Sequence, residues 1–266
     1  MPELPEVETV VRSLEKLIKN KRIIHVIVNY NKMIKTDIND FKNNLINQRF
    51  IGFKRRGKYL ILELDDYILL SHLRMEGKFY YGKDINLKHI HVIFNLDDGN
   101  NLYYQDFRKF GTMSLFSKDI DIEKIINIGV DANSDEVDYL YLTNNLSKSN
   151  RSIKEMLLNQ KVIAGIGNIY ADEICHRCKI HPASTCSKLS KDDYKNLEKN
   201  IKLVLNEAIE TGLKDISLDG RFDLSSINYL REKNICKYCN NEIIKIKHKG
   251  RGTYLCDKCQ KLKKWK

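Results

Sequence analysis

Two Cys-x2-Cys pairs near the C-terminus, Cys236/Cys239 and Cys256/Cys259, constrain this chain more than any other feature. Each pair can present two thiolates to one ion from a tight turn, and four thiolates close a tetrahedral zinc site. The sixteen residues between the pairs have hairpin length. Glu242–His248 is expected as the outgoing strand and Thr253–Leu255 as the return, joined by Lys249-Gly250-Arg251-Gly252. Four sulfur ligands leave no open coordination position, so one structural Zn2+ is expected to stabilise a small ribbon fold without taking part in chemistry. All seven cysteines follow residue 174, an odd and one-sided distribution that does not fit a secreted disulfide framework. Cys175-x2-Cys178, with His181 and Cys186, has a metal-like spacing, but the first two continue a helical apolar pattern. Buried core thiols are the simpler reading there.

The cysteine-bearing tail is also the most basic stretch. Residues 231–266 carry twelve Lys and Arg against Glu232, Glu242 and Asp257, which is nine of the net eleven positive charges of the chain. An anionic partner is therefore expected, nucleic acid ahead of an acidic membrane. No apolar run approaches the ~18 residues of a membrane span. The N-terminus, with Glu3, Glu6 and Glu8, is too acidic for a signal peptide, so a cytoplasmic protein is expected. With 266 residues, 42% of them hydrophobic, two or three domains with cores of their own are affordable.

Along the chain the texture changes three times. Pro5 suits the first turn of a helix, and Val7, Val10, Val11, Leu14, Leu17 and Ile18 follow at helical spacing. From Arg22 to Phe116 the segments are short and β-rich: Ile23–Val28, Phe50–Phe53, Tyr59–Leu64, Tyr67–Leu73, His91–Leu96, Asn101–Tyr104 and Thr112–Phe116. Asp98-Gly99 is a hairpin signal, and many strands without interleaved helices predict an antiparallel sandwich or barrel. Helical periodicity returns near Asp135. Ser190 with Asp193 resembles a capping box, ahead of a buried stripe of Tyr194, Leu197, Ile201, Leu205 and Ala208 that ends at Gly212. The expected organisation is an α+β multidomain chain. Residues 1–118 form a leading helix and β-sandwich, 119–134 a polar connector, 135–230 a helical domain, and 231–266 the zinc ribbon.

The first residues suggest chemistry. A proline at position 2 normally permits removal of Met1, which leaves Pro2 as a free secondary amine. An α-amino group titrates near about 8, so roughly a quarter is unprotonated in the cell, against about one part in a thousand for a lysine near about 10.4. Pro2 is thus a candidate nucleophile, with the Glu3 carboxylate one residue away. Taken alone the same residues could simply open a helix.

Further motifs occur in order after Pro2-Glu-Leu-Pro-Glu-Val-Glu8. They are Ser71-His-Leu-Arg-Met-Glu-Gly77, Lys88-His-Ile-His-Val92, Asp106-Phe-Arg-Lys-Phe-Gly111, Ala164-Gly-Ile-Gly-Asn-Ile-Tyr-Ala-Asp-Glu173, Ile180-His-Pro182 and Gly250-Arg-Gly-Thr253. The pattern resembles the formamidopyrimidine-DNA glycosylase family from end to end. The resemblance implies a bifunctional glycosylase and abasic-site lyase that removes oxidised purines from double-stranded DNA. In it the Pro2 amine forms a Schiff base with the sugar, Glu3 handles protons, and Lys58 and Arg251 serve phosphate binding and the elimination steps. Without the family, Lys58 is an ordinary strand-end charge and Arg251 an ordinary basic hairpin residue.

The resemblance further implies that Met75, Arg108 and Phe110 fill the gap left by an extruded base. By pattern alone, Met75 and Phe110 are more often core residues. His91, Lys109, Arg151 and Lys154 are expected as DNA-backbone or pocket contacts. The glycine turn Gly165-Ile-Gly167 would form a helix-two-turns-helix element with Asn168 on phosphate. A monomer is expected. Three departures from the family pattern stand out: Arg74 in place of a glycine, Phe107 in place of a proline, and a shortened 213–235 segment that carries the lesion-covering loop. They bear on lesion preference, where an endonuclease VIII-like taste for oxidised pyrimidines is the neighbouring alternative. That group usually has glycine where this chain has Leu4. A non-catalytic zinc-ribbon DNA-binding protein is the alternative from another class.

Overall fold

The computed structural model describes residues 2–214, 217–220 and 229–264, the side chain of residue 229 excepted. Met1 and residues 215–216 and 221–228 of the 213–235 segment expected to carry the lesion-covering loop lie outside the described residues. The described residues fall into two compact units: 2–126 with 212–214 and 217–220, and 127–211 with 229–264.

The first unit opens with helix α1 (Leu4–Ile18), which buries Val7, Val10, Val11, Leu14 and Ile18 along one face. Eight strands follow: β1 (Ile23–Val28), β2 (Phe50–Arg56), β3 (Tyr59–Leu64), β4 (Tyr67–His72), β5 (Lys78–Gly82), β6 (Ile90–Leu96), β7 (Asn101–Gln105) and β8 (Thr112–Ser117). They pair antiparallel in two four-stranded sheets, ordered β1-β6-β7-β5 and β2-β3-β4-β8. Both sheets feed one core, where Phe50, Leu62 and Leu69 of one join Phe94, Leu102 and Tyr104 of the other and the buried face of α1. The Phe50 and Phe94 rings meet edge-on at 6.4 Å. The expected antiparallel sandwich behind a leading helix is therefore what forms.

Several elements escaped the sequence reading, among them a short helix (Ile122–Ile126) and a short strand (Val130–Asp131) inside the expected polar connector 119–134. Helix α2 (Ile38–Leu45) interrupts the strands, capped by the Asp37 carboxylate, which accepts the N–H groups of Asn39 and Asp40 at 2.8 and 2.9 Å. Its eight residues hide only Phe41 and Leu45, too few apolar positions to show a period. Strand β5 is bracketed by Gly77 and Gly82, which read as turn rather than strand. Strand β2 also runs on through Lys54, Arg55 and Arg56, charged residues that pair with β3. A short helix α3 (Ile122–Ile126) closes the unit. Residues 217–220, inside the 135–230 segment by sequence, pack here: Leu218 O accepts from Phe79 N–H at 3.0 Å, and Ser217 N–H donates to Ser13 Oγ at 3.1 Å.

The second unit holds a two-stranded parallel pair, β9 (Val130–Asp131) and β10 (Ile163–Ala164). Around it lie helices α4 (Tyr139–Leu146), α5 (Ile153–Leu157), α6 (Asn168–Arg177), α7 (Lys191–Gly212) and α8 (Tyr229–Glu232). Ser190 Oγ and Asp193 close the predicted capping box of α7, with Ser190 N–H to Asp193 Oδ2 at 2.7 Å and Asp193 N–H to Ser190 Oγ at 3.2 Å. The whole predicted stripe from Tyr194 to Ala208 is buried. The ribbon is the hairpin β11 (Ile244–His248) and β12 (Arg251–Leu255). Its turn is only Lys249-Gly250, with φ of +47° and +78°, the two left-handed residues that a two-residue hairpin requires. Arg251 therefore starts the return strand opposite His248 and does not sit in the loop where the sequence placed it.

Candidate active site and phosphate-binding elements

Pro2 is half-buried at the head of α1, and Glu3 is the buried N-cap of that helix. The Glu3 N–H donates to Glu6 Oε2 at 2.8 Å in a capping box between the two residues. This reciprocal cap fixes the chain direction where Pro2 leaves the helix. The β2–β3 hairpin adds Lys58, which is buried behind Gly57 at φ +56°. Arg55 joins these parts: its Nε donates to Glu8 Oε2 of α1 at 2.8 Å, and its Nη1 donates to Gly57 O at 3.0 Å. Burial alone would raise the Glu8 carboxyl, but the Arg55 and Arg12 guanidinium groups outweigh it and hold Glu8 below the usual carboxylate range.

The sequence reading gave His72 no role, yet strand register sets it opposite Tyr59, next to Lys58. Its ring stands edge-on to Tyr59 at 4.7 Å, and its Nδ1 accepts the Arg74 N–H at 2.9 Å. Burial, then the charges of Arg74 and Lys58, push its pKa down to about 3. The imidazole is neutral in the cell, with its one proton on Nε2. The available signal was its place in the Ser71–Gly77 motif, on the strand paired to the one that follows Lys58.

Met75, Arg108 and Phe110 come from two loops of this unit, and all three are exposed, Met75 at 39% and Phe110 at 52%. The Arg108 guanidinium lies 4.8 Å above the Phe110 ring. Neither apolar residue belongs to the core. Asp106, fully buried, builds the second loop: its carboxylate accepts the N–H groups of Arg108 at 2.9 Å and Gly111 at 2.7 Å. The two glycines that end these motifs are required by close approach. A Cβ on Gly77 would lie 2.1 Å from Tyr104 Oη, and one on Gly111 would lie 1.8 Å from it. Both loops thus close on the same buried ring. Arg74 adopts φ +53°, a left-handed conformation that explains why glycine is usual there.

His91, expected as a DNA-backbone or pocket contact, is buried, with its Nε2 2.9 Å from Asp106 O, and so braces the Arg108–Phe110 loop from beneath. Lys109, at φ +58°, is exposed, with its Nζ 5.1 Å over the Tyr30 ring.

In the second unit, a cavity of about 310 Å³ is lined by Arg151, Lys154, Glu155, Asn159, His248 and Arg251, among others. Arg151, Lys249 and Arg251 are exposed there. Lys154 is not a surface cation. Only 1% exposed, its ammonium pairs with Asp172 Oδ1 at 2.6 Å and donates to Thr253 Oγ1 at 2.7 Å. It ties α5 to α6 and to the ribbon, and a lysine of ordinary spacing gives no sequence hint of that. The glycine turn ahead of α6 bends at Gly165 (φ +102°) and is held by Gln160, which accepts the Gly165 N–H at 2.9 Å and donates to Ile166 O at 2.8 Å. Asn168 opens α6 and donates its Nδ2 to Gly252 O of the hairpin at 3.0 Å.

The sulfurs of Cys236, Cys239, Cys256 and Cys259 all lie within 4.8 Å of one another, with Cys236 and Cys259 3.8 Å apart and Cys239 and Cys256 3.5 Å apart. A zinc tetrahedron with bonds of about 2.3 Å has edges near ~3.8 Å, so this donor set fits one Zn2+. Cys175, Cys178 and Cys186 are buried, and burial pushes their thiols up, Cys186 to about 12. Among the described residues, no helix is long and apolar enough to cross a membrane.

Three family models cover most of the chain: the formamidopyrimidine-DNA glycosylase N-terminal domain over residues 1–113, the formamidopyrimidine-DNA glycosylase H2TH domain over 128–219, and a zinc finger found in FPG and IleRS over 236–262. The chain is 43% identical to a formamidopyrimidine-DNA glycosylase of Shouchella clausii, over 98% of this chain and 99% of the relative. Two solved structures of Lactococcus lactis Fpg are similar at 38% identity and a TM-score of 0.91, over 97% of this chain and 99% of theirs. One is in complex with DNA containing N7-benzyl-Fapy-dG, the other with DNA containing an oxidised pyrimidine. A proline–glutamate head on a capped helix, three exposed side chains on two loops and a four-cysteine ribbon coincide with full-length similarity, and this chain belongs to the formamidopyrimidine-DNA glycosylase family.

Proposed function

We propose that the chain excises oxidised purines from double-stranded DNA and cleaves the strand at the resulting abasic site, with Pro2 as nucleophile. The observation that carries this reading is Pro2 placed directly before the buried, capped Glu3 in a chain that matches the family throughout. Once Met1 is removed, the Pro2 nitrogen attacks the anomeric carbon of the damaged nucleotide, and the bond from that carbon to the base breaks. Glu3 moves protons at the sugar and the departing base. The positive end of α1 disfavours a second positive charge at Pro2, so it favours the amine in its reactive neutral form.

With a proton delivered to the ring oxygen, the bond from the anomeric carbon to that oxygen breaks, the sugar opens, and the iminium that results acidifies the neighbouring sugar proton. Its loss expels the 3′ phosphate, and a second elimination expels the 5′ phosphate. Lys58 and Arg251 are the cations assigned to these phosphates, with Asn168, Arg151 and Lys109 as further backbone contacts. Met75, Arg108 and Phe110 occupy the emptied stack and meet the orphaned base. The zinc supplies no step; it holds the ribbon that carries Arg251. DNA as substrate places the protein in the cytoplasm with the nucleoid.

The test is borohydride trapping of the Met-trimmed protein on duplexes carrying 8-oxoguanine, a formamidopyrimidine or an abasic site. A covalent adduct and strand cleavage on both sides are expected, and absence of any adduct contradicts the reading. An oxidised pyrimidine belongs in the same panel, because a solved relative holds such DNA. Faster excision of thymine glycol than of 8-oxoguanine would favour the endonuclease VIII-like alternative.

A further inference from the structure

Helix α6 meets the ribbon at three points along one face. Asn168, Asp172 and His176 recur four residues apart and so share one side of the helix. Asn168 holds the hairpin through Gly252 O at 3.0 Å, and Asp172 Oδ2 accepts the Tyr254 N–H of the return strand at 3.2 Å. His176 reaches the metal cluster itself: its Nε2 is 3.2 Å from Cys236 Sγ, with both residues fully buried. The His176 ring also packs at 5.0 Å against Tyr238, which lies between Cys236 and Cys239.

A zinc-bound thiolate has no proton to give, so the hydrogen in this contact comes from the imidazole. We propose that His176 is an outer-shell residue of the zinc site, donating its Nε2–H to the Cys236 thiolate. Four thiolates around Zn2+ leave a net charge of two minus in a mostly buried setting. A donor to one sulfur disperses that charge, fixes the direction of Cys236 and fastens the metal to α6. The same helix begins with Asn168, so zinc occupancy and the turn that the proposed function assigns to phosphate are joined along one helix. His176 lies 60 residues before Cys236 and outside any ligand spacing, so the metal motif gives no sign of it.

The experiment follows zinc transfer from the full-length holoprotein to a chromogenic chelator, for the wild type, His176→Phe and His176→Gln. Phenylalanine keeps a ring without the donor, and glutamine keeps a donor without the ring. Loss of an outer-shell partner commonly weakens metal binding about 10–100-fold, so His176→Phe is expected to release zinc at least ~10-fold faster. His176→Gln is expected to recover part of that difference. Release from His176→Phe at the wild-type rate, or equally fast release from both variants, overturns the proposal. A second measurement uses the unmutated protein loaded with cadmium-113. An Nε2-protonated His176 with scalar coupling to cadmium across the hydrogen bond is expected, and an Nδ1-protonated ring overturns the assignment.

Discussion

In the N-terminal unit, Met75, Arg108 and Phe110 are held outward by backbone devices: the Asp106 carboxylate on two N–H groups, and two glycines closed on the Tyr104 ring. In the second unit, Asn168 is tied to the hairpin through Gly252 O and Arg251 is carried on β12 of the four-cysteine ribbon, and the surroundings of both are built on charge and on a metal-binding donor set. Asp172 gathers Lys154, Arg231 and the Tyr254 N–H, and four cysteine sulfurs form a donor set that fits one Zn2+. The first arrangement depends on shape and should be indifferent to salt, chelators and modest changes of pH. The second depends on ions and should respond to all three. The proposed wedge is thus rigid by packing, while the proposed phosphate grip is conditional on ions.

Zinc removal should separate the two regions most sharply. Structural zinc contributes apparent free energies of about 10–16 kcal/mol in small zinc-finger peptides, so chelation should unfold the ribbon and release Arg251. DNA binding and its salt dependence should fall together, while the thermal transition of the N-terminal unit stays in place; binding unchanged by chelation would remove the distinction. Next in size is Lys154→Met. Breaking a buried pair costs about 3–5 kcal/mol, and Asp172 would remain buried with Arg231 at 3.4 Å as its cation. Calorimetry should show the loss in the second unit alone.

Gly111→Ala tests the other side of the comparison. Its Cβ would collide with Tyr104 Oη, and overpacking of this kind costs about 1–3 kcal/mol. Stability should fall in the N-terminal unit with zinc retention unchanged, and a fully stable variant would show that the clasp is not tight.

The smallest expected effect is a pH slope. Glu173 is pushed up to about 8 by burial, against the opposing pull of the Leu230 N–H and nearby cations. The folded state therefore keeps a proton that the unfolded chain has lost. The contribution is most favourable below the ordinary carboxylate range and is lost as pH rises through about 8. Between pH 6 and 8 the slope should be at most ~1.4 kcal/mol per pH unit. Glu173→Gln should flatten it in thermal melts, and an unchanged slope would deny Glu173 the role.

Much of this was legible in the sequence, for identifiable reasons. The α1 stripe, the Ser190 cap and the paired cysteines are periodic or spaced signals that local physics dictates. Helix α2 was not legible, because Phe41 and Leu45 alone give no period. The burial of Lys154 was not legible because lysine is rarely buried, and only the tertiary meeting with Asp172 and Thr253 makes it tolerable. Arg251 shifted from loop to strand because Lys249 takes a left-handed turn position that lysine seldom marks. Contacts such as His176 with Cys236, and His72 beside Lys58, join distant segments and leave no local trace.

The central claim, that the Pro2 nitrogen is the nucleophile, is most directly tested by mapping the borohydride-trapped complex. Met-trimmed protein is reduced on 8-oxoguanine duplex, digested with protease and nuclease, and the sugar remnant located by tandem mass spectrometry. The account predicts the remnant on the nitrogen of Pro2, and no adduct from protein that retains Met1. A remnant on Lys58 or another lysine, or trapping by the Met1-retaining protein, would contradict it.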